Sequence, residues 1–188
     1  RDLRSPNIEE QFQLYYQPKV DANSGRIVGT EALLRWHHPK LGLVPPDKFI
    51  PIAEYSNLIG PIGDWVLNEA CHQLACWKAE GFKLSMAVNI SPKQLRDKGI
   101  VERISAVMQR HNIVEGELEL EVTETAAMSN AEHAIEQMHA IRSAGATLAI
   151  DDFGTGYSSL AYLKLFPVQT LKLDRTFVRD IETDENDS

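Results

Sequence analysis

The chain has 188 residues, enough for one domain with a sizeable core, and its 43% hydrophobic and 24% charged content is that of an ordinary globular protein. A net charge of −8 excludes a nucleic-acid polymer as the natural partner, because phosphate backbones are held by clustered Lys and Arg. It leaves room for a small phosphorylated ligand, since a metal ion can invert the local sign.

Cys71 and Cys76 are the only cysteines, and their spacing is not a zinc pattern. They read as reduced, partly buried thiols of a cytoplasmic protein, or of the cytoplasmic part of a membrane-anchored one. No run approaches the 18 or so apolar residues of a membrane span, and the opening RDLRSPNIEE is not a signal peptide. Residues 1–11 are expected to be a linker or helix remnant, and the acidic DIETDENDS at the end a solvated terminus.

Two strand-like runs come first, FQLYYQPKV (12–20) and RIVGTEALLRW (26–36). Only DANSG separates them, turn chemistry too short for a helical crossover, so they should pair antiparallel. Helix and strand then alternate. Val66, Leu67, Ala70, Cys71, Leu74 and Trp77 share one face of a helix over 64–79. KLSMAVNI (83–90) is a strand, and Ser91-Pro92 reads as an N-cap followed by a first-turn proline. Ile100, Val101, Ile104, Val107 and Met108 mark the next helix, before the strand ELELEV (117–122). Ala134, Ile135, Met138 and Ile141 mark another helix, ended near Gly145, before the strands TLAI (147–150) and TLKLD (170–174).

This repetition implies a mainly parallel sheet with right-handed crossovers. Strict alternation sorts the faces: Met86, Val88, Leu118, Leu120, Leu148, Ile150, Leu171 and Leu173 lie opposite Ala87, Asn89, Glu119, Glu121, Ala149, Asp151 and Lys172. An open sheet covered by helices on both sides would want two apolar faces, whereas a small, polar second face suits the lumen of a barrel.

Catalytic groups of such barrels sit at the C-terminal strand ends, which here carry Glu31, Asn89, Glu121, Asp151, Asp152 and Lys172. Carboxylates with an amide carbonyl are the ligand set of Mg²⁺ or Mn²⁺, and converging acids without a cation would repel. Two adjacent aspartates can serve two ions, the arrangement that clamps an in-line phosphoryl displacement. Each piece also has a plain reading: ELELEV as a half-solvated strand, Asn89 as a turn residue, Asp151-Asp152 as loop chemistry before glycine, Lys172 as an edge-strand lysine. Their joint placement on one end and one face favours the functional reading. Asp152-Phe153-Gly154 spells the kinase metal-binding triplet, but no glycine-rich loop or H-R-D sequence accompanies it. Gly154-Thr155-Gly156 is weak as a phosphate motif, and His37-His38-Pro39 reads as an exposed turn.

The motifs EALLRW (31–36), YYQP (15–18), VNISP (88–92), ELEVTET (119–125), DDFGTGYSSL (151–160) and LKLDRTFV (171–178) stand in one order, and by them the chain closely resembles the EAL-domain cyclic-di-GMP phosphodiesterases. The resemblance covers residues 12–188. It implies an α/β fold, a modified TIM-type (β/α)₈ barrel with an antiparallel first strand, of which about six strands are present here. It implies metal-dependent hydrolysis of cyclic-di-GMP to linear pGpG in bacterial second-messenger signalling, with Mg²⁺ or Mn²⁺ as a pair of ions. Carried over motif by motif, Glu31, Asn89, Glu121 and Asp151 are metal ligands, and Asp152 binds a second metal and orients the attacking water. Lys172 stabilises the developing charge, Gln17 and Arg35 contact substrate, and Glu124 anchors the loop after Asp152. That loop, through Tyr157 to Leu160, borders a homodimer interface in the family, and sensory or cyclase domains commonly precede it. The family's remaining strand–helix units and a late catalytic glutamate are not in this sequence, so the isolated chain is expected to lack part of the centre. The alternatives are a catalytically inactive cyclic-di-GMP receptor, which degenerate strand-end acids would signal, and a Mg²⁺-assisted proton-abstraction enzyme on a similar barrel.

Overall fold

The computed structural model describes residues 2–5, 8–154, 160–177 and 179. Its framework is a seven-stranded sheet: β1 (Phe12–Val20), β2 (Ile27–His38), β3 (Gly42–Val44), β4 (Ser85–Asn89), β5 (Leu118–Thr123), β6 (Thr147–Phe153) and β7 (Thr170–Leu173). The order is β1-β2-β4-β5-β6-β7, with β3 paired to β2. β1 runs antiparallel to β2 and every later step along that order is parallel, as the short first turn requires. Asp21 Oδ1 accepts the Ser24 N–H at 2.7 Å in that turn, and Gly25 supplies its positive φ of 68°.

The helices are α1 (Pro46–Tyr55), α2 (Ile59–Ala79), α3 (Pro92–Leu95), α4 (Ile100–Arg110), α5 (Glu124–Met128), α6 (Ala131–Ser143) and α7 (Leu160–Leu163). α2, α4 and α6 pack on the apolar face of the sheet. There Met86, Leu118, Leu120, Val122 and Leu148 are fully buried against Leu67, Ile104, Met138 and Ile141. α2 begins five residues before the expected start, because Pro61 lies in its first turn, where the lost N–H needs no partner. Trp77, expected on its buried face, is only half-buried and meets Tyr16 edge-on at 4.9 Å. α1 and β3 carry no counterpart in the sequence reading. Pro51 interrupts the apolar period of α1, yet Phe49 and Ala53 are buried beneath it. Ser91 caps α3 as expected, in a capping box with Gln94.

Asp2–Arg4 and Ile8–Gln11 form 3₁₀ turns: Leu3 is buried, and Gln11 Oε1 accepts the Trp36 indole N–H at 3.0 Å. His38, in a segment read as an exposed turn, is instead buried at the end of β2, where its Nδ1 accepts the N–H groups of Lys40 and Leu41 at 3.1 Å. Burial pushes the Cys71 thiol up to about 12, which keeps it protonated and unreactive. Among the described residues no helix is long and apolar enough to cross a membrane.

Lys19 of β1 and Lys172 of β7, from opposite ends of the strand order, both reach Glu121 of β5. The sheet therefore curls into part of a barrel whose polar face lines the inside, as its alternation indicated. On the outer side of β7, Leu171 and Leu173 remain 44% and 60% exposed, so the helix layer does not extend over this strand among the described residues.

Candidate active site

Register brings the strand-end acids together. Glu31 stands beside Ala87, Asn89 beside Glu121, and Thr123 beside Asp151 in the parallel ladders, so from Glu31 to Glu121 to Asp151 the register steps forward two residues at a time while the side chains stay on the lumen face. Oxygens of Glu31, Glu121 and Asp151 all lie within 4.8 Å of one another. At their centre is the Lys172 ammonium, which donates to Glu121 Oε2 at 2.5 Å, Asp151 Oδ2 at 3.0 Å and Glu31 Oε2 at 3.2 Å. A cation thus already marks the focus of three carboxylates. All the donors are hard oxygens, so the triad can hold a divalent metal of the Mg²⁺ or Mn²⁺ kind.

Asp151 and Asp152 sit where the ladder is irregular. Ile150 pairs with Leu171 and Phe153 with Leu173, so two residues of β6 oppose the single Lys172 of β7. This is a bulge, and Asp152 takes a φ of 52° within it. The sequence reading ends the strand at Ile150; instead β6 resumes after the two acids. In a regular strand adjacent side chains point to opposite faces, whereas the bulge re-aims Asp152 into the field of Asp151, Asp174, Lys172 and Glu31. The Asp152 N–H closes on Asp151 Oδ1 at 2.9 Å. Gly154, at φ 97°, donates its N–H to Oε2 of the buried Glu124 at 2.8 Å. Residues 155–159 of the loop that follows, including Tyr157, lie outside the described residues.

The other expected residues surround this centre. Asn89 donates through Nδ2 to Glu31 Oε1 at 2.9 Å, so it orients the acid as the amide is placed. Gln17 lies directly opposite Glu31 across the β1–β2 ladder and is exposed. Arg35, four residues beyond Glu31 on β2, donates to the Leu34 carbonyl at 2.9 Å and lies 5.4 Å from the centre of the Tyr15 ring. An apolar cavity of about 430 Å³ opens beside Arg35 and Asn89, walled by Ile50, Ile62, Val66 and Ile90.

Lys19, Glu119 and Thr170 belong to the same interior and were not singled out from the sequence. Lys19 Nζ donates to Glu119 Oε1 at 2.5 Å and to Glu121 Oε1 at 3.3 Å, and Thr170 Oγ1 donates to Glu119 Oε2 at 2.7 Å. A lone lysine in an alternating strand carries no signal of its own. The period-2 placement of Lys19 on the face of Gln17 is the one clue.

Negative charge is in excess here, and the ionisation of the groups reflects it. Burial works against the Lys172 ammonium, but the Glu121 and Asp151 hydrogen bonds outweigh it and hold its pKa well above the usual value. Glu121 goes the other way for an acid: burial, then the Glu31 charge, push it up despite Lys172. The two shifts fit together: the acids around Lys172 hold its proton, while Glu121 is dominated by its own burial. Asp152 is also raised, by burial and then by Asp151. A metal ligand must be ionised, so divalent-metal affinity should decline on acidification sooner than an ordinary carboxylate site would. Without metal the sign reverses: a raised acid contributes stability below its unfolded pKa and loses it as pH rises through the folded value. Mn²⁺ calorimetry between about pH 8 and pH 5 checks this, and an affinity flat down to about pH 5 would contradict it.

The EAL domain family matches residues 1–188. The chain is 44% identical over all 188 of its residues to the bifunctional diguanylate cyclase/cyclic di-GMP phosphodiesterase MucR of Pseudomonas aeruginosa, and spans 27% of that protein. It is 42% identical over 180 residues to the cyclic di-GMP phosphodiesterase PdeR of Escherichia coli, covering 96% of this chain and 27% of PdeR. Among solved structures it resembles the MucR phosphodiesterase from P. aeruginosa in complex with c-di-GMP. That match has a TM-score of 0.93 and 44% identity and covers 99% of this chain and 76% of the other.

Proposed function

The chain belongs to the EAL domain family, and on that premise we propose that it carries the metal-dependent centre that hydrolyses cyclic-di-GMP to linear pGpG. The observation that supports this most is the convergence of Glu31, Glu121 and Asp151 on one cationic point. Family relatives named as cyclic di-GMP phosphodiesterases share about two-fifths of the sequence. The presence of Glu31, Glu121, Asp151 and Asp152 speaks against the receptor reading, with the late glutamate that this sequence does not contain as the counterweight, and the match over all 188 residues to this family speaks against a proton-abstraction enzyme.

In the reaction, a water oxygen bonds to phosphorus and the bond from phosphorus to the ribose 3′ oxygen breaks, leaving a 5′-phosphate and a 3′-hydroxyl. Glu31, Asn89, Glu121 and Asp151 would hold one divalent ion, and Asp152 would meet a second. Bound there, a pair of Mg²⁺ or Mn²⁺ ions would lower the pKa of water and offset the charge of the phosphate. Asp152, raised in pKa and aimed by the bulge, orients the attacking water and accepts its proton. Lys172 stays cationic throughout and faces the charge that develops on the phosphoryl oxygens. Arg35 and Gln17, on the face of Glu31, bind the dinucleotide, and the apolar cavity beside Arg35 is of a size to take a purine base.

Glu124 acts through Gly154. Its carboxylate holds that N–H and thereby the backbone that aims Asp152. Glu124→Ala should lower kcat by about 10- to 100-fold with Mn²⁺ affinity reduced less, as expected for a group that orients others; unchanged turnover would remove Glu124 from the mechanism. The loop after Asp152 forms a homodimer interface in this proposal, and the domain works attached to sensory or cyclase domains; the name of MucR joins a diguanylate cyclase to a phosphodiesterase in that protein. Hydrolysis in ¹⁸O-water tests the reaction itself. One ¹⁸O in the 5′-phosphate of pGpG is expected, and pGpG without label, or no pGpG both from this chain and from one continued past Ser188, would overturn it.

A further inference from the structure

Glu121 has two carboxylate oxygens, and they face different ways. Oε2 points at the acidic centre, where Lys172 joins it to Glu31 and Asp151. Oε1 points along the lumen to Lys19, 3.3 Å away. Lys19 is itself fixed: Glu119 Oε1 holds it at 2.5 Å, and Thr170 holds the other Glu119 oxygen at 2.7 Å. The Glu119 and Glu121 side chains are 12% and 0% exposed and that of Lys19 29%, so the carboxylates of this chain of contacts are enclosed and the lysine partly so. It joins β1, β5 and β7, and Thr170 lies two residues before Lys172 on the same side of its strand.

We infer that Lys19 is a positioning residue for the metal centre: by occupying Glu121 Oε1 it leaves Oε2 alone to face the cation, and Glu119 with Thr170 keeps it there. This rests on the metal-dependent reading of the site and adds a residue to it. Lys19 offers no oxygen to a metal. Its effect passes through the orientation of one carboxylate, the role that partners of metal ligands play elsewhere. A lysine that only neutralised Glu119 would influence folding and leave metal affinity alone.

Mn²⁺ binding to this chain by isothermal titration calorimetry separates the two, with Tm measured in parallel. Lys19→Met should weaken Mn²⁺ affinity by about 10- to 100-fold. Removing the lysine strands the charge of Glu119, so Lys19→Met combined with Glu119→Gln supplies a variant without that charge. It should fold and show the same weakening. Wild-type affinity in either folded variant, with Mn²⁺ bound normally by the parent chain, overturns the role of Lys19 and leaves the phosphodiesterase reading intact. A parent chain that takes up no Mn²⁺ overturns both.

Discussion

Glu121→Gln is expected to abolish turnover, with a loss of at least about 10³-fold, while leaving the protein as stable as before or more so. The two halves have one cause. Glu121 is 1% exposed, and its carboxyl is pushed up by burial and then by the Glu31 charge. A raised acid is one whose ionised form the fold disfavours, so at neutral pH it subtracts from stability. Glutamine keeps the shape and one oxygen, which can stay on Lys172 while the amide nitrogen takes the place of the oxygen that makes the longer contact with Lys19; it removes the charge, and leaves Lys172 also paired with Glu31 and Asp151 and Lys19 with Glu119. What disappears is the ionised ligand at the centre of the triad. Thermal unfolding together with pGpG release measures both. A variant that unfolds at much lower temperature, or one that still turns over, would show that Glu121 is a structural acid.

Lys172→Met should have the opposite profile in the metal-free protein. The Glu31, Glu121 and Asp151 side chains around the ammonium are only 17%, 0% and 19% exposed, so removing it takes the cation from three facing acids and leaves Glu121 only its longer contact with Lys19. Some must then protonate, and the loss should approach about 3 kcal/mol, the scale for taking one partner from a buried ion pair. A divalent ion can take over that neutralisation, so Mg²⁺ should raise Tm more in the variant than in the parent. Turnover should nevertheless stay down by about 10²- to 10³-fold, since the positive group facing the phosphate is gone. Equal Mg²⁺ shifts in the two proteins would mean that the lysine and the metal do not share the same acids.

Much of this architecture is legible before any coordinates. The alternation of Leu118, Leu120 and Val122 with Glu119 and Glu121 gives both the buried face and the lumen, because in a strand the side-chain period admits no other arrangement. The short DANSG turn gives the antiparallel entry for the same kind of reason. The bulge at Asp151-Asp152 is not legible, since a period of two places these acids on opposite faces and only the Lys172 register shows otherwise. α1 is hidden by Pro51, which breaks its apolar period, and the buried state of His38 by the turn residues that follow it. Lys19 is hidden because its partners lie about a hundred positions away in sequence. Local pattern fixes faces; long-range charge pairing needs the fold.

The most direct test of the metal-dependent centre is a single assay of cyclic-di-GMP conversion with Mn²⁺, stripped by EDTA and then restored, in the parent and in Asp151→Asn. It is run on this chain and on one continued past Ser188. pGpG that forms with metal, stops with EDTA, returns on re-addition and is absent in Asp151→Asn is the expected result. pGpG formed equally in EDTA or by Asp151→Asn, or no pGpG from either length of chain, would contradict it.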